Sequence, residues 1–139
     1  MGTCGNRALG LDYDKAPPVL EVPVSNEIEA LQAKLREFAR ARDWEQFHSP
    51  KNLACALSVE VSELLEHFQW LTEEQSRTLG PETHAKVADE LADVVLYALQ
   101  LADKLNVDPL LAANKKLSLN ESKYPADLAR GKSTKYTDL

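Results

Sequence analysis

Four acidic residues, arranged as two pairs, carry the strongest chemical signal in this chain. Glu60 and Glu63 stand three apart in NLACALSVEVSELLEHFQW (Asn52–Trp70), and Glu90 and Asp93 repeat the spacing in a segment from about Lys86 to Leu105. On an α-helix, residues three apart face the same way with Cβ atoms about 5–6 Å apart. Each segment can therefore aim two carboxylates at one cation. Two carboxylates about 6 Å apart repel by roughly 3 kcal/mol at an effective dielectric near 20. Such a cluster needs protons or hard cations, and carboxylates without imidazole favour Mg²⁺, with Mn²⁺ as the alternative.

The bland reading is a pair of surface helices laced with salt bridges. It is weakened because Glu60 and Glu63 have no Lys or Arg three or four residues further on. On a helical wheel, Leu53, Leu57, Val61, Leu64, Leu65 and Phe68 form an apolar stripe bordered by Glu60, Glu63 and His67. Val87, Leu91, Val94, Val95, Ala98 and Leu105 form a second stripe, flanked by Glu90, Asp93 and Tyr97. Packing the stripes together predicts four acids at the rim of a buried seam. A ferritin-like di-iron site is the competing metal chemistry, but it uses Glu-x-x-His pairs on its helices. Neither acidic segment has one; His67 lies four residues after Glu63.

Two further groups extend this chemistry. Trp44 in the loop DWEQFH (Asp43–His48), Trp70 at the end of the first acidic helix, and Tyr97 are flat rings near the acids. Such rings can sandwich a nucleobase, with His48 in reach to hydrogen-bond it. The run from Lys115 to Pro125 supplies Lys116, Asn120, Lys123 and Tyr124. Read blandly, it is a solvated helix end whose lysines favour the dipole; read functionally, it grips phosphates. Acids for metal, rings for a base and lysines for phosphates together describe a nucleoside triphosphate site.

The elements that must position these groups are helical. The 139 residues suffice for one domain. A net charge of -6, with acids spread along the chain, argues against a nucleic-acid polymer as partner; only the C-terminal stretch (Lys115, Lys116, Lys123, Arg130, Lys132, Lys135) is basic. Cys4 and Cys55 make no disulfide framework, and Cys55 reads as a small buried or half-buried helix residue suited to a reducing compartment. No apolar run approaches a membrane span, so the cytoplasm is the expected location. Residues 1–24, with Pro17, Pro18 and Pro23, read as a flexible arm, residues 25–125 as the helical catalytic domain and 126–139 as a tail. Asn26 and Glu29 predict a capped first helix reaching about Arg42. Ser49-Pro50 starts the first acidic helix, Thr72–Gln75 predicts a short turn, Gly80-Pro81 a stop and restart, and Asp108-Pro109 a final helix to Ser122. Pro125 and Gly131 then mark the end of regular structure. No segment has strand periodicity, so the expected class is an all-α antiparallel bundle. The apolar content exceeds what a small monomer buries, which predicts oligomerisation.

These residues resemble the all-α nucleotide pyrophosphohydrolases of the MazG superfamily, and within it the dCTP pyrophosphatase group. The likeness runs from about Ile28 to Leu139, carried by RDWEQFHSPKN (Arg42–Asn52), EVSELLEHFQW (Glu60–Trp70), DELADVVLY (Asp89–Tyr97), NESKYP (Asn120–Pro125) and KYTDL (Lys135–Leu139). The resemblance implies that Glu60, Glu63, Glu90 and Asp93 bind Mg²⁺. It implies that Trp44, His48, Trp70 and Tyr97 surround base and sugar, and that Lys116, Asn120, Lys123 and Tyr124 meet the phosphates, from a neighbouring subunit of a homodimer or homotetramer. The implied reaction is cleavage between the α and β phosphates, giving a monophosphate and pyrophosphate, with Glu63 expected to orient the attacking water. Two positions depart from the pattern: Ser62 replaces a glycine, and Leu35 stands where a histidine close to the substrate is expected.

Overall fold

The computed structural model describes residues 24–138. The expected N-terminal arm, with its prolines and Cys4, lies outside the described residues apart from Val24. Six α-helices follow in order: α1 (Val24–Arg40), α2 (Pro50–Glu66), α3 (Glu73–Ser76), α4 (Pro81–Lys104), α5 (Pro109–Lys123) and α6 (Ala126–Ala129). Short 3₁₀ turns lie at Glu45–Phe47 and Tyr136–Asp138. Among the described residues there is no strand, and no helix is long and apolar enough to cross a membrane. The all-α class is as expected.

The helix starts follow from local chemistry. Ser49 Oγ accepts the Asn52 N–H at 3.2 Å, and Pro50 opens α2 with its fixed φ. Asp108 caps α5 through the Leu111 N–H at 2.9 Å. Thr72 and Gln75 form a reciprocal capping box that starts α3. Replacing Ser49 by alanine should therefore lower stability by about 1 kcal/mol in a urea titration; no shift in midpoint would mean that the hydroxyl contributes nothing to the start of α2. α1 is described from Val24 onward, and the expected Asn26 cap falls among residues whose side chains lie outside the description.

Two helix ends close with the same backbone device. The Trp44 N–H reaches Ala39 O at 2.9 Å and the Asp43 N–H reaches Arg40 O at 3.1 Å, with Asp43 left-handed at φ 54°. The Val107 and Asn106 N–H groups repeat this on Ala102 and Asp103, with Asn106 at φ 52°. Both are Schellman closures. Such closures bring the residue after the left-handed position back onto the last helical turn. Trp44 accordingly lies edge-on to Phe38, ring centres 5.9 Å apart, while the Arg42 guanidinium sits 3.6 Å over the Phe38 ring.

The core lies where α2 packs on α4, with α1 laid against α4. The pairing of α2 and α4 is antiparallel: Glu60 meets Glu90 and Asp93, and His67, two turns later, reaches back to Glu90. Among the described residues Leu53, Ala39 and Leu99 are the buried apolar side chains, and buried Gln32 donates to Leu99 O at 3.1 Å. Arg36 and Asp103 pair at 2.6 Å across the same α1–α4 seam.

The buried faces differ from the expected stripes. On α2 and the turn after it the shielded positions include Leu53, Ala56, Leu57, Glu60, Leu64, His67 and Phe68, whereas Val61 and Leu65 are exposed. On α4 they include Val87, Glu90, Val94, Leu96, Tyr97 and Leu99, whereas Leu91, Val95 and Ala98, and Leu105 at the C-cap, are exposed. The reason is that each helix carries two apolar rows, and only one packs within the chain. Glu60 and Glu90 are thus half-buried beside the packed positions, whereas Glu63 is exposed. Three further corrections are local. Cys55 is exposed, α2 stops at Glu66 so that His67–Trp70 form turns, and α6 and a 3₁₀ turn follow Pro125, where regular structure was expected to end.

Candidate active site

The geometry begins with the α2–α4 seam. One carboxylate oxygen each from Glu60, Glu90 and Asp93 lies within 4.8 Å of the other two. Burial first, and then the charges of Glu63, Asp93 and Glu90, raise the Glu60 carboxyl above its ordinary 4.5. Negative charge is therefore concentrated here beyond what the surroundings compensate. His67 Nε2 stands 3.9 Å from Glu90 Oε1, an ion pair only when the imidazole is protonated. Three hard oxygen donors with no thiolate or imidazole among them can hold a divalent cation of the Mg²⁺ type. Glu63 lies outside this group, exposed on the next turn, yet close enough for its charge to act on Glu60.

This arrangement sets a pH dependence. A raised folded-state value means that protonated Glu60 stabilises the fold fully below about pH 4.5 and that this contribution is lost as pH rises through the raised value. Millimolar MgCl₂ should thus raise Tm near neutral pH, and the gain should vanish as pH falls and protons compete for the carboxylates. Melting curves with and without the ion at both pH extremes check this; an increment that is absent at neutral pH, or equal at both, would contradict it.

Beside Asp93 opens a cleft of about 360 Å³, continuous with solvent, lined by Leu31, Lys34, Leu35, Phe38, Trp44, His48, Asp93, Leu96, Tyr97 and Gln100. Its size and largely apolar walls suit a small organic ligand. Trp44 reaches it through the Schellman closure of α1. The loop behind is pinned by Gln46 Nε2 on Asp43, 2.8 Å to Oδ2, and by Asn52 Nδ2 on Phe47 O at 2.9 Å. A narrower polar recess adjoins, sharing Leu35, His48 and Gln100 with the cleft and adding Gln32, Arg36, Glu45 and Asp103. Glu45 and His48 form the chain's one Glu-x-x-His spacing, and they sit here rather than among the acids.

The expected base-and-sugar residues divide. Trp44, His48 and Tyr97 line the cleft together with Asp93, whereas Trp70 is 86 % exposed in the turn after α2 and is not part of its wall. The expected phosphate residues lie elsewhere in the chain: Lys116, Asn120 and Lys123 are on α5, with Tyr124 at its C-cap, and none lines the cleft. α5 has no extensive packing on the other helices. Its end gathers a cluster of its own, with Tyr124 edge-on to Tyr136 at 5.8 Å and Lys123 Nζ 5.1 Å from the Tyr136 ring centre. Sequence reasoning missed Leu31, Lys34, Phe38, Leu96 and Gln100 as cleft residues. Leu31 and Phe38 share one apolar face of α1 and so read as packing residues, and the signal for Gln100 was its place seven residues after Asp93, on the same helix face.

A model of the MazG-like family matches residues 55–139. dCTP pyrophosphatase 1 of Homo sapiens is 46 % identical over 119 residues, 84 % of this chain and 68 % of that protein. The Rattus norvegicus protein of the same name is 39 % identical over 140 aligned positions, 99 % of this chain and 81 % of that one. A solved pyrophosphatase from Archaeoglobus fulgidus superposes with a TM-score of 0.68 at 41 % identity, covering 71 % of this chain and 93 % of its own.

Proposed function

The chain belongs to the MazG-like family, and from that premise we propose that it hydrolyses dCTP to dCMP and pyrophosphate in the cleft beside Glu60, Glu90 and Asp93. The observation that carries the reading is the convergence of these three acids from two helices, one of which, Asp93, also lines a cleft walled by Trp44 and Tyr97. Glu60, Glu90 and Asp93 would hold Mg²⁺. When bound, the ion supplies charge neutralisation to the triphosphate. Trp44 stacks on the base, and Tyr97, one turn from Asp93, packs beside the sugar. Glu63, outside the ligand group, orients the attacking water and takes its proton. Water oxygen forms the new bond to phosphorus, the α–β anhydride bond breaks, and pyrophosphate leaves with the electron pair.

The same reading makes the working unit a homodimer or homotetramer. Support comes from the unpartnered rows Val61, Leu65, Leu91 and Val95, and from α5, which stands largely apart from its own bundle. A neighbouring copy's seam would cover those rows, and α5 would bring Lys116, Asn120, Lys123 and Tyr124 toward a neighbour's triphosphate.

The test is pyrophosphate release across the common NTPs and dNTPs with Mg²⁺. Fastest turnover of dCTP is the expected result; turnover of a different nucleotide alone would move the substrate assignment, and binding without release would make the protein a nucleotide sensor. Within that assay, Trp44→Ala should raise KM for dCTP by roughly tenfold or more, since stacking contributes about 1–3 kcal/mol per base. An unchanged KM would remove Trp44 from the base site.

A further inference from the structure

We propose that Gln100 reads the hydrogen-bonding edge of the base and is a specificity-determining residue of the cleft; this rests on the function proposed above. Asp93, Tyr97 and Gln100 occupy positions i, i+4 and i+7 of α4, and all three line the cleft. At 1.5 Å per residue they lie about 6 Å and about 10 Å along one face from the acidic end. A triphosphate held at Asp93 therefore places the sugar near Tyr97 and the far edge of the base near Gln100.

Chemistry singles out Gln100 at that end of the cleft. Leu31, Leu35, Phe38 and Leu96 offer no hydrogen bonds. Lys34 is a donor only, and a neutral His48 carries its donor and acceptor on separate ring atoms facing apart. Gln100 presents a donor and an acceptor side by side, the pattern that pairs with the adjacent amino group and ring nitrogen of cytosine. Its carbonyl accepts from the exocyclic N4 amino group while its NH₂ donates to N3. The amide is also uncommitted. Among the described residues it makes no side-chain hydrogen bond, whereas Gln32, beside it in the polar recess, spends its amide on Leu99 O. No fully enclosed side-chain nitrogen or oxygen lacks a partner among these residues, so the unpaired Gln100 amide is open to the space it lines.

The experiment compares dCTP with the triphosphate of 2-pyrimidinone deoxyriboside, which lacks only the amino group, in the wild type and in Gln100→Leu and Gln100→Glu. The wild type should prefer dCTP in kcat/KM by roughly tenfold to a hundredfold, the worth of a good bidentate amide–base pair. In Gln100→Leu that preference should collapse toward unity, with the loss falling on KM for dCTP. Gln100→Glu, nearly isosteric, keeps the acceptor but turns an oxygen toward N3, so its KM for dCTP should rise as well; it carries the test if the leucine variant does not fold. A purely structural role would weaken both nucleotides equally and leave the preference intact, and that result overturns the proposal. A wild type that releases no pyrophosphate from dCTP would instead remove the functional reading on which it stands.

Discussion

Asp93→Asn should lower kcat for dCTP by about a thousandfold or more while leaving the helical fold intact. The change conserves volume and one oxygen but removes the charge, and a metal-held triphosphate is worth several kcal/mol of transition-state stabilisation. It also removes one of the three charges that push the Glu60 carboxyl upward, so the cation-free variant should melt no earlier than the wild type. What it should lose is the rise in Tm with MgCl₂. Glu63→Gln makes the informative contrast, because Glu63 lies outside the three-acid group. It should lose turnover yet keep the cation-dependent rise in Tm. Near-normal turnover in Asp93→Asn, measured by pyrophosphate release, would remove the metal assignment altogether.

Leu53→Ala should destabilise the protein by about 2–5 kcal/mol in urea unfolding, with the slope unchanged. Leu53 is 2 % exposed, on the second turn of α2. Truncation removes its transfer free energy and leaves a cavity that rigid helix backbones refill poorly. Few side chains share its burial: in the described chain, taken alone, Ala39 and Leu99 complete the fully buried apolar set. Against a typical total of about 5–15 kcal/mol the loss is large. It should be measured at fixed protein concentration, since an associating chain gains apparent stability by mass action. A loss below about 1 kcal/mol would show that the α2–α4 seam does not hold the fold.

Much of this architecture was legible because the helix starts are written in local chemistry. Ser49-Pro50, Gly80-Pro81 and Asp108-Pro109 each place a first-turn proline after an extended residue, and all three open helices. The acid spacing was legible for the same reason: it depends on helical geometry alone. Which face of each helix turns inward was not legible. Val61 and Leu65 are as apolar as Leu57 and Leu64, so periodicity cannot choose between two apolar rows when only one packs within the chain. The choice is tertiary, and it carried Glu60 and Glu90 inward and left Cys55 outside. Gln100 was hidden for a related reason. A single amide in an apolar helix reads as ordinary surface until α1 and the Trp44 loop close a cleft around it.

Glu60, Glu90 and Asp93 must act together as one cation-binding group for the proposed hydrolysis to proceed. Crystals grown with MnCl₂ and a non-hydrolysable dCTP analogue would test it through the anomalous signal of manganese. A manganese peak is expected between these three side chains, about 2 Å from their carboxylate oxygens, with the analogue's phosphates on its far side and its base against Trp44. A peak elsewhere, or a nucleotide bound while the three carboxylates point apart into solvent, would contradict it.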